Sequence, residues 1–291
     1  FFGDRPRLFV SLAEHREARV RREVLERSYD IPLEGRDVEM ATIRDFVRNS
    51  AHHVLLVEGE GGVGKTRLQY EAAAALADEG IVETVYCGTA HLAASPSWYL
   101  GIVPESTALV LIDDPTDAEF IKRFVGEFGD RTKHWKAIIT VRSQRDPVIA
   151  PLKDPRDRLL APALVLTPLP EAPAVRLASD LLRPLAIADD QRARAERWLA
   201  TVCGRFPIWM TVAAKLLESR DDLRELPADS FKIAKEYVAE IVRHTPPEIA
   251  TPVQALEALR WIALVQPLNR LSDDALERFA SAAGLSSAAQ A

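Results

Sequence analysis

Gly59-Glu60-Gly61-Gly62-Val63-Gly64-Lys65-Thr66 leaves this chain little freedom in how it folds locally. The eight residues fit the pattern G-x-x-x-x-G-K-[ST]. Residues 53–58 before them form an apolar, β-branched run that reads as a buried strand. Residues 64–79 after them are rich in alanine, with Leu68 and Leu76 on one helical face and Gly80 as a stop. Between a strand and a helix, such glycines let successive backbone N–H groups turn inward around an anion. The helix amino end adds its positive dipole. Lys65 is placed to bridge the last two phosphates of a nucleoside triphosphate, and Thr66 to offer its hydroxyl to Mg²⁺.

A metal ion held by Thr66 needs an acid on its other side, at the end of a neighbouring strand. Leu109-Val110-Leu111-Ile112-Asp113-Asp114 supplies one. Asp113 would hold Mg²⁺, in part through water, and Asp114 would orient or activate an attacking water. The metal set is therefore Thr66 with Asp113.

Further runs at 81–87, 108–112, 136–141 and 163–167 resemble strands buried on both faces, with a helical pattern over 116–128 closed by Gly129. Strand and helix alternating at this spacing predict a three-layer α/β core with a parallel sheet that ends near residue 167. Seven of the chain's 19 prolines lie between Pro147 and Pro173, where one unit hands over to the next. Beyond them, residues 171–187, 189–203, 208–219, 229–244, 252–265 and 272–283 carry helical periodicity. Residues 5–28 mix apolar positions with seven arginines and read as a connecting helix. The expected organisation is a linker helix over 1–29, a nucleotide-binding unit over 30–168, a helical domain over 169–245 and a partial further domain over 246–291.

Composition excludes several classes. The 291 residues are 47% hydrophobic and 27% charged, ordinary globular values. With 37 basic against 43 acidic side chains the net charge is −6, which lacks the basic footprint of a nucleic-acid binder. The apolar runs are far shorter than the roughly 18 residues of a membrane span. The two cysteines, Cys87 and Cys203, fit neither a disulfide framework nor a metal knuckle, so a reducing cytoplasm is expected. Cys87 reads as a small buried hydrophobe, and His52 and His53 as structural or solvent-facing. A start at Phe1 and an end soon after a helical segment suggest a piece of a longer protein.

The order of these motifs, with Ile138-Ile139-Thr140-Val141-Arg142-Ser143 and then Gly204-Arg205-Phe206-Pro207, resembles the STAND class of signalling NTPases and its NB-ARC-like members. The resemblance covers residues 30–245. It implies a P-loop NTPase core, a helical domain and the start of a winged-helix domain. It also implies that Arg142 senses the γ-phosphate and that Pro207 packs on the nucleotide base. Here the Gly-to-Pro spacing is one residue longer than the family's compact form. Ile31-Pro32-Leu33-Glu34-Gly35-Arg36-Asp37 is similar to the family's Gly-Arg element. That similarity implies backbone groups of Ile31 and Leu33 near the base and sugar, and Arg36 near the phosphates or a neighbouring loop. The implied nucleotide cradle is Gly59, Gly61, Gly62, Val63, Gly64, Lys65, Thr66 and Arg67. Lys65, Asp113, Asp114 and Arg142 are the implied catalytic set.

By resemblance the chain is a slow ATPase switch that binds ATP or ADP with Mg²⁺. It would form a homo-oligomer on activation, answer an unknown protein trigger and control attached effector and sensor domains, in bacterial antiviral defence or in transcriptional control. Neither a membrane nor a nucleic acid is expected as a partner of this stretch. An AAA+-type motor or loader ATPase is the alternative, with Arg123, Arg131 or Arg145 as conceivable fingers. A small-molecule kinase is a third reading, which leaves the helical extension unexplained.

Overall fold

A computed structural model describes residues 9–20, 31–88, 107–115, 120, 123–125, 135–142 and 159–218. Six strands are described: β1 (Phe9–Ser11), β2 (Val54–Gly59), β3 (Thr84–Gly88), β4 (Ala108–Ile112), β5 (Trp135–Val141) and β6 (Leu164–Leu166). They form one sheet in the order β1-β3-β4-β5-β2-β6. The contacts from β3 to β6 are all parallel, as the continuous apolar runs require, and β1 pairs antiparallel with β3 at one edge. β5 lies between β2 and β4, with Leu56 opposite Ile139 and Ile112 opposite that same Ile139. Arg142, directly after β5, is thereby held between the glycine turn after β2 and the acids after β4.

The edge strand corrects the expectation of an uninterrupted linker helix. Phe9–Ser11 is extended, and helix α1 begins only at Leu12 and runs to Val20. Val10 lies opposite Cys87, and the Phe9 ring meets Tyr86 edge-on at 5.9 Å. The β3 edge offers unpaired backbone groups, and a short aromatic and β-branched segment satisfies them better than another turn of helix would.

Two further helices join α1 on one face of the sheet. α2 (Asp37–Asn49) buries Ile43, Phe46 and Val47, and α3 (Lys65–Asp78) buries Leu68, Ala72, Ala73 and Leu76. These side chains join Leu55, Val57, Leu109, Leu111 and Ile138 in one core. Each buried leucine contributes about 1.5–3 kcal/mol. α3 stops where Gly80 turns left-handed at φ +68°, and Ile81 N–H reaches back to the Leu76 carbonyl at 2.9 Å. That closure consumes residues 81–83, so β3 starts at Thr84 rather than at Ile81. On the other face Phe120, Phe124 and Val125, from the expected helix over 116–128, pack with Val54, Val110 and Ile139.

Three helices follow: α4 (Glu171–Leu182), α5 (Asp189–Val202) and α6 (Pro207–Glu218). Leu177, Leu182, Leu199, Met210 and Leu217 form their own buried cluster, with Trp198 and Trp209 packed at its margin. Among the described residues no helix is long and apolar enough to cross a membrane. The periodic segments beyond residue 218, the expected winged-helix start over 246–291 included, lie outside the described residues.

Candidate functional site

The glycine turn sits at the carboxyl end of β2. Gly62 at φ +80° and Gly64 at φ +102° hold left-handed conformations that other residues adopt only with strain, and α3 begins directly after Gly64. Leu68 N–H bonds to the Gly64 carbonyl at 2.9 Å as the first full turn of the helix. The turn therefore presents its backbone at the amino end of a 14-residue helix.

Lys65 lies back along this turn. Its ammonium donates to the carbonyls of Gly59 at 2.8 Å and Glu60 at 3.0 Å, and the residue is 8% exposed. Burial pulls its pKa below the usual lysine value, while Asp114 and then Asp113 oppose that pull. A phosphate group entering the turn would supply the counter-charge that two carbonyls cannot.

Thr66, on the first turn of α3, donates its hydroxyl to Asp113 Oδ1 at 2.7 Å, although 47 residues separate them. The same oxygen accepts the Thr140 hydroxyl at 2.7 Å. Asp114 has a left-handed backbone at φ +42°, and its N–H donates to Thr140 Oγ1 at 2.8 Å. Its carboxylate receives Arg142, with Nη2 2.8 Å and Nε 3.1 Å from Oδ2. Thr66, Asp113, Asp114 and Arg142 are thus linked through Thr140 at one end of the sheet, with Lys65 on the turn beside them. A hydroxyl and a carboxylate in direct contact are the hard oxygen donors that Mg²⁺ takes when phosphates and water complete its shell. Among the described residues no cluster of three or more His, Cys, Asp or Glu could hold a metal ion.

The turn opens into a cleft of about 220 Å³. Gly62, Val63, Gly64, Lys65, Thr66 and Arg67 line one side, and Ile31, Leu33 and Arg36 another. Leu177, Leu181, Pro207, Ile208 and Thr211 close it from the helices. One end is therefore polar and cationic, and the other is largely aliphatic. Pro207 is the first residue of α6, a position where its missing N–H costs nothing. The next residue, Ile208, donates its N–H to the Gly62 carbonyl at 3.3 Å. A Cβ built on Gly62 would stand 2.0 Å from Ile208 Cγ2, so glycine is what allows α6 to approach.

Arg36 and Arg67 act on the backbone of the site. Arg36 is 3% exposed and donates to the carbonyls of Val63 at 3.0 Å and Thr167 at 2.7 Å while pairing with Glu39 at 2.8 Å. It therefore ties the glycine turn to the segment that leads into the helices. Arg67 donates to the Ile31 carbonyl and lies 3.7 Å from Glu71. Gly59 fits a tight spot, where an added Cβ would meet the Leu166 carbonyl oxygen at 2.9 Å, whereas Gly61 has open space around it.

Three contributors escaped the sequence reading. Thr140 is fully buried in β5, and its polarity in an otherwise aliphatic run was the available signal. Gln69, equally buried, donates to the carbonyls of Ile112 at 3.2 Å and Ile138 at 2.7 Å, pinning α3 to the end of β4 and the middle of β5. Its spacing of three from Thr66 was the clue. Nothing in the sequence marked Ile208. The residues expected to be structural behave so: His52 contacts Ser50 Oγ at 3.0 Å, and His53 the Trp135 carbonyl at 3.2 Å. Cys87 and Cys203 are buried thiols pushed up to about 12 by desolvation. Arg131, Ser143 and Arg145 lie outside the described residues.

A mostly parallel sheet with the glycine turn after β2, acids after β4, β5 between them and a helical extension over the turn has the architecture of a P-loop α/β core. No family model matches the chain, and no curated protein does. Among solved structures the chain is similar to domain III of the replication initiation protein DnaA from Thermotoga maritima, at 16% identity and a TM-score of 0.45. The match covers 71% of this chain and 94% of that one.

Proposed function

We propose that this chain is a nucleotide switch of the STAND type, which binds ATP with Mg²⁺ and hydrolyses it slowly. The observation that carries the reading is the connected set Thr66–Asp113–Thr140–Asp114–Arg142 beside a buried lysine in a glycine turn. Lys65 and the turn's N–H groups would hold the phosphates, and Thr66 with Asp113 would hold the metal. Bound there, Mg²⁺ supplies charge neutralisation for the transferred phosphoryl group. Asp114 is the residue to orient water, and Arg142 the one to answer the terminal phosphate. Ile31, Leu33 and Pro207 line the aliphatic end of the cleft, which suits a base.

The case for a switch rather than a simple hydrolase rests on two contacts. Arg142 is committed to Asp114 when no phosphate competes for it, and α6 is bonded to the turn itself through Ile208 and Gly62. A terminal phosphate that draws Arg142 toward itself would loosen its hold on Asp114, and a turn that reshapes around phosphates would move against α6. The second effect would carry occupancy to α6, and the first would couple the terminal phosphate to the acids. Control of oligomerisation and of attached effector and sensor domains, in defence or in transcription, extends this reading by resemblance. The expected homo-oligomer and protein trigger belong to the same extension.

The test is direct. The purified chain should bind a fluorescent ATP analogue in a Mg²⁺-dependent way, and Lys65→Ala should weaken binding by roughly 100-fold, the value of a lost charge-assisted contact. Hydrolysis should be slow and indifferent to added DNA or unfolded protein. Unchanged affinity in the Lys65 variant removes the site, and strong stimulation by a polymer favours a motor.

A further inference from the structure

We infer that Thr140 is a positioning residue, whose single hydroxyl sets both carboxylates of the site and the backbone between them. This rests on the nucleotide reading above and names a residue to which that reading gave no role of its own.

Thr140 lies in the centre of the sheet, with no exposed surface, among Ile138, Ile139 and Val141. Valine has nearly the same shape and would be the default residue in such a strand. A buried hydroxyl costs free energy unless its bonds are made. Here both are made, and their directions agree. The one proton goes to Asp113 Oδ1 at 2.7 Å, which leaves lone pairs to accept the Asp114 N–H at 2.8 Å. The two bonds therefore do not compete for that proton.

The two partners need this support for different reasons. Asp113 Oδ1 accepts two hydroxyls, from Thr66 and Thr140. A cation at Thr66 would compete for the first. The second comes from a fully buried side chain and persists, so the carboxylate keeps its direction when the metal arrives. Asp114 holds a left-handed backbone, which costs a non-glycine residue about 1–2 kcal/mol. Its N–H bond to Thr140 is what the strand offers against that strain, and the resulting turn aims the carboxylate at Arg142. Thr140 lies in β5, and Arg142 follows directly after the strand's last residue, Val141. The end of β5 thus brings together the hydroxyl that holds both acids and the arginine that meets Asp114.

The test uses the whole chain with Thr140→Val, which removes the hydroxyl and keeps the shape, and Thr140→Ser, which restores it. ATP affinity is measured with and without Mg²⁺, kcat and KM are measured separately, and Asp114 amide exchange is followed by NMR in the nucleotide-free protein. Thr140→Val should lose about tenfold of the affinity gained from Mg²⁺ and at least about tenfold in kcat, with Mg²⁺-free affinity unchanged. Thr140→Ser should stay within about threefold of wild type in both. The Asp114 amide should be protected in wild type and exchange faster in the valine variant.

Wild-type metal dependence and kcat in Thr140→Val would overturn the inference, as would a serine variant as impaired as the valine one. Should the valine variant fail to fold, the other arms decide. A protected wild-type Asp114 amide with an active serine variant supports the role, and an unprotected amide overturns it. A wild-type chain that binds no nucleotide fails the ATP reading and this inference together. A wild type that binds Mg²⁺ and ATP beside an indifferent valine variant fails only Thr140.

Discussion

The sheet side and the helix side of the candidate site are built on opposite physical plans. At the phosphate end, polar groups distant in sequence bond to one another: Thr66 to Asp113, Thr140 to Asp113, Asp114 to Arg142, Lys65 to the turn. At the helix end, Leu177, Leu181, Pro207 and Ile208 bring aliphatic surface, and a few polar links carry the connection back to the sheet. The first plan demands particular chemical groups at particular spacings. The second demands only shape, and many residues satisfy shape. Rigidity is thus concentrated where charge must be placed, and adaptability where the helices meet the sheet.

Asp114→Ala should break this division most severely. With no carboxylate to orient water, hydrolysis should fall by roughly 100- to 1000-fold. ATP affinity should hold or rise, because Arg142 loses its competing partner. Single-turnover kinetics beside equilibrium binding separate the two effects. Equal losses in affinity and rate would mean that Asp114 serves the architecture rather than the chemistry.

Gly62→Ala probes the seam between the plans. The new Cβ would stand 2.0 Å from Ile208 Cγ2 and would occupy a left-handed backbone, so about 2–3 kcal/mol of stability should be lost. The double variant with Ile208→Ala removes the overlap but not the backbone strain, and should recover about half of that loss. Urea midpoints of the four proteins measure it. Simple additivity would show that α6 does not rest on the glycine turn in solution.

The same contrast governs what could be read in advance. The parallel sheet, α3 and the meeting of Lys65, Thr66 and Asp113 were legible, because each depends on local pattern or on a motif whose chemistry dictates its surroundings. Phe9–Ser11 was misread as helix, because its strand exists only by virtue of the β3 edge, a partner more than 70 residues away. Thr140 and Gln69 went unassigned for a related reason: a lone hydroxyl or amide acquires meaning from carbonyls and carboxylates that the sheet order brings to it. Ile208 carried no chemical signal at all, since its role is to fill the space over Gly62. Arg36 was expected near the phosphates or a neighbouring loop, and the backbone of the glycine turn is what it holds.

Arg176→Ala is the mildest test and the most discriminating about the helix end. Arg176 on α4 pairs with Glu34 at 2.6 Å across the cleft rim, but it is 56% exposed. A screened pair of long side chains contributes little, so the loss should be below about 0.5 kcal/mol and vanish at high salt. Arg36 makes the useful control, being the same residue type at 3% exposure with two backbone carbonyls to satisfy. If Arg176→Ala instead costs as much as a buried contact, or shifts ATP affinity by more than about threefold, the rim ion pair fixes the helices over the cleft. Adaptability would then have to be sought in the bond between Ile208 and Gly62 alone.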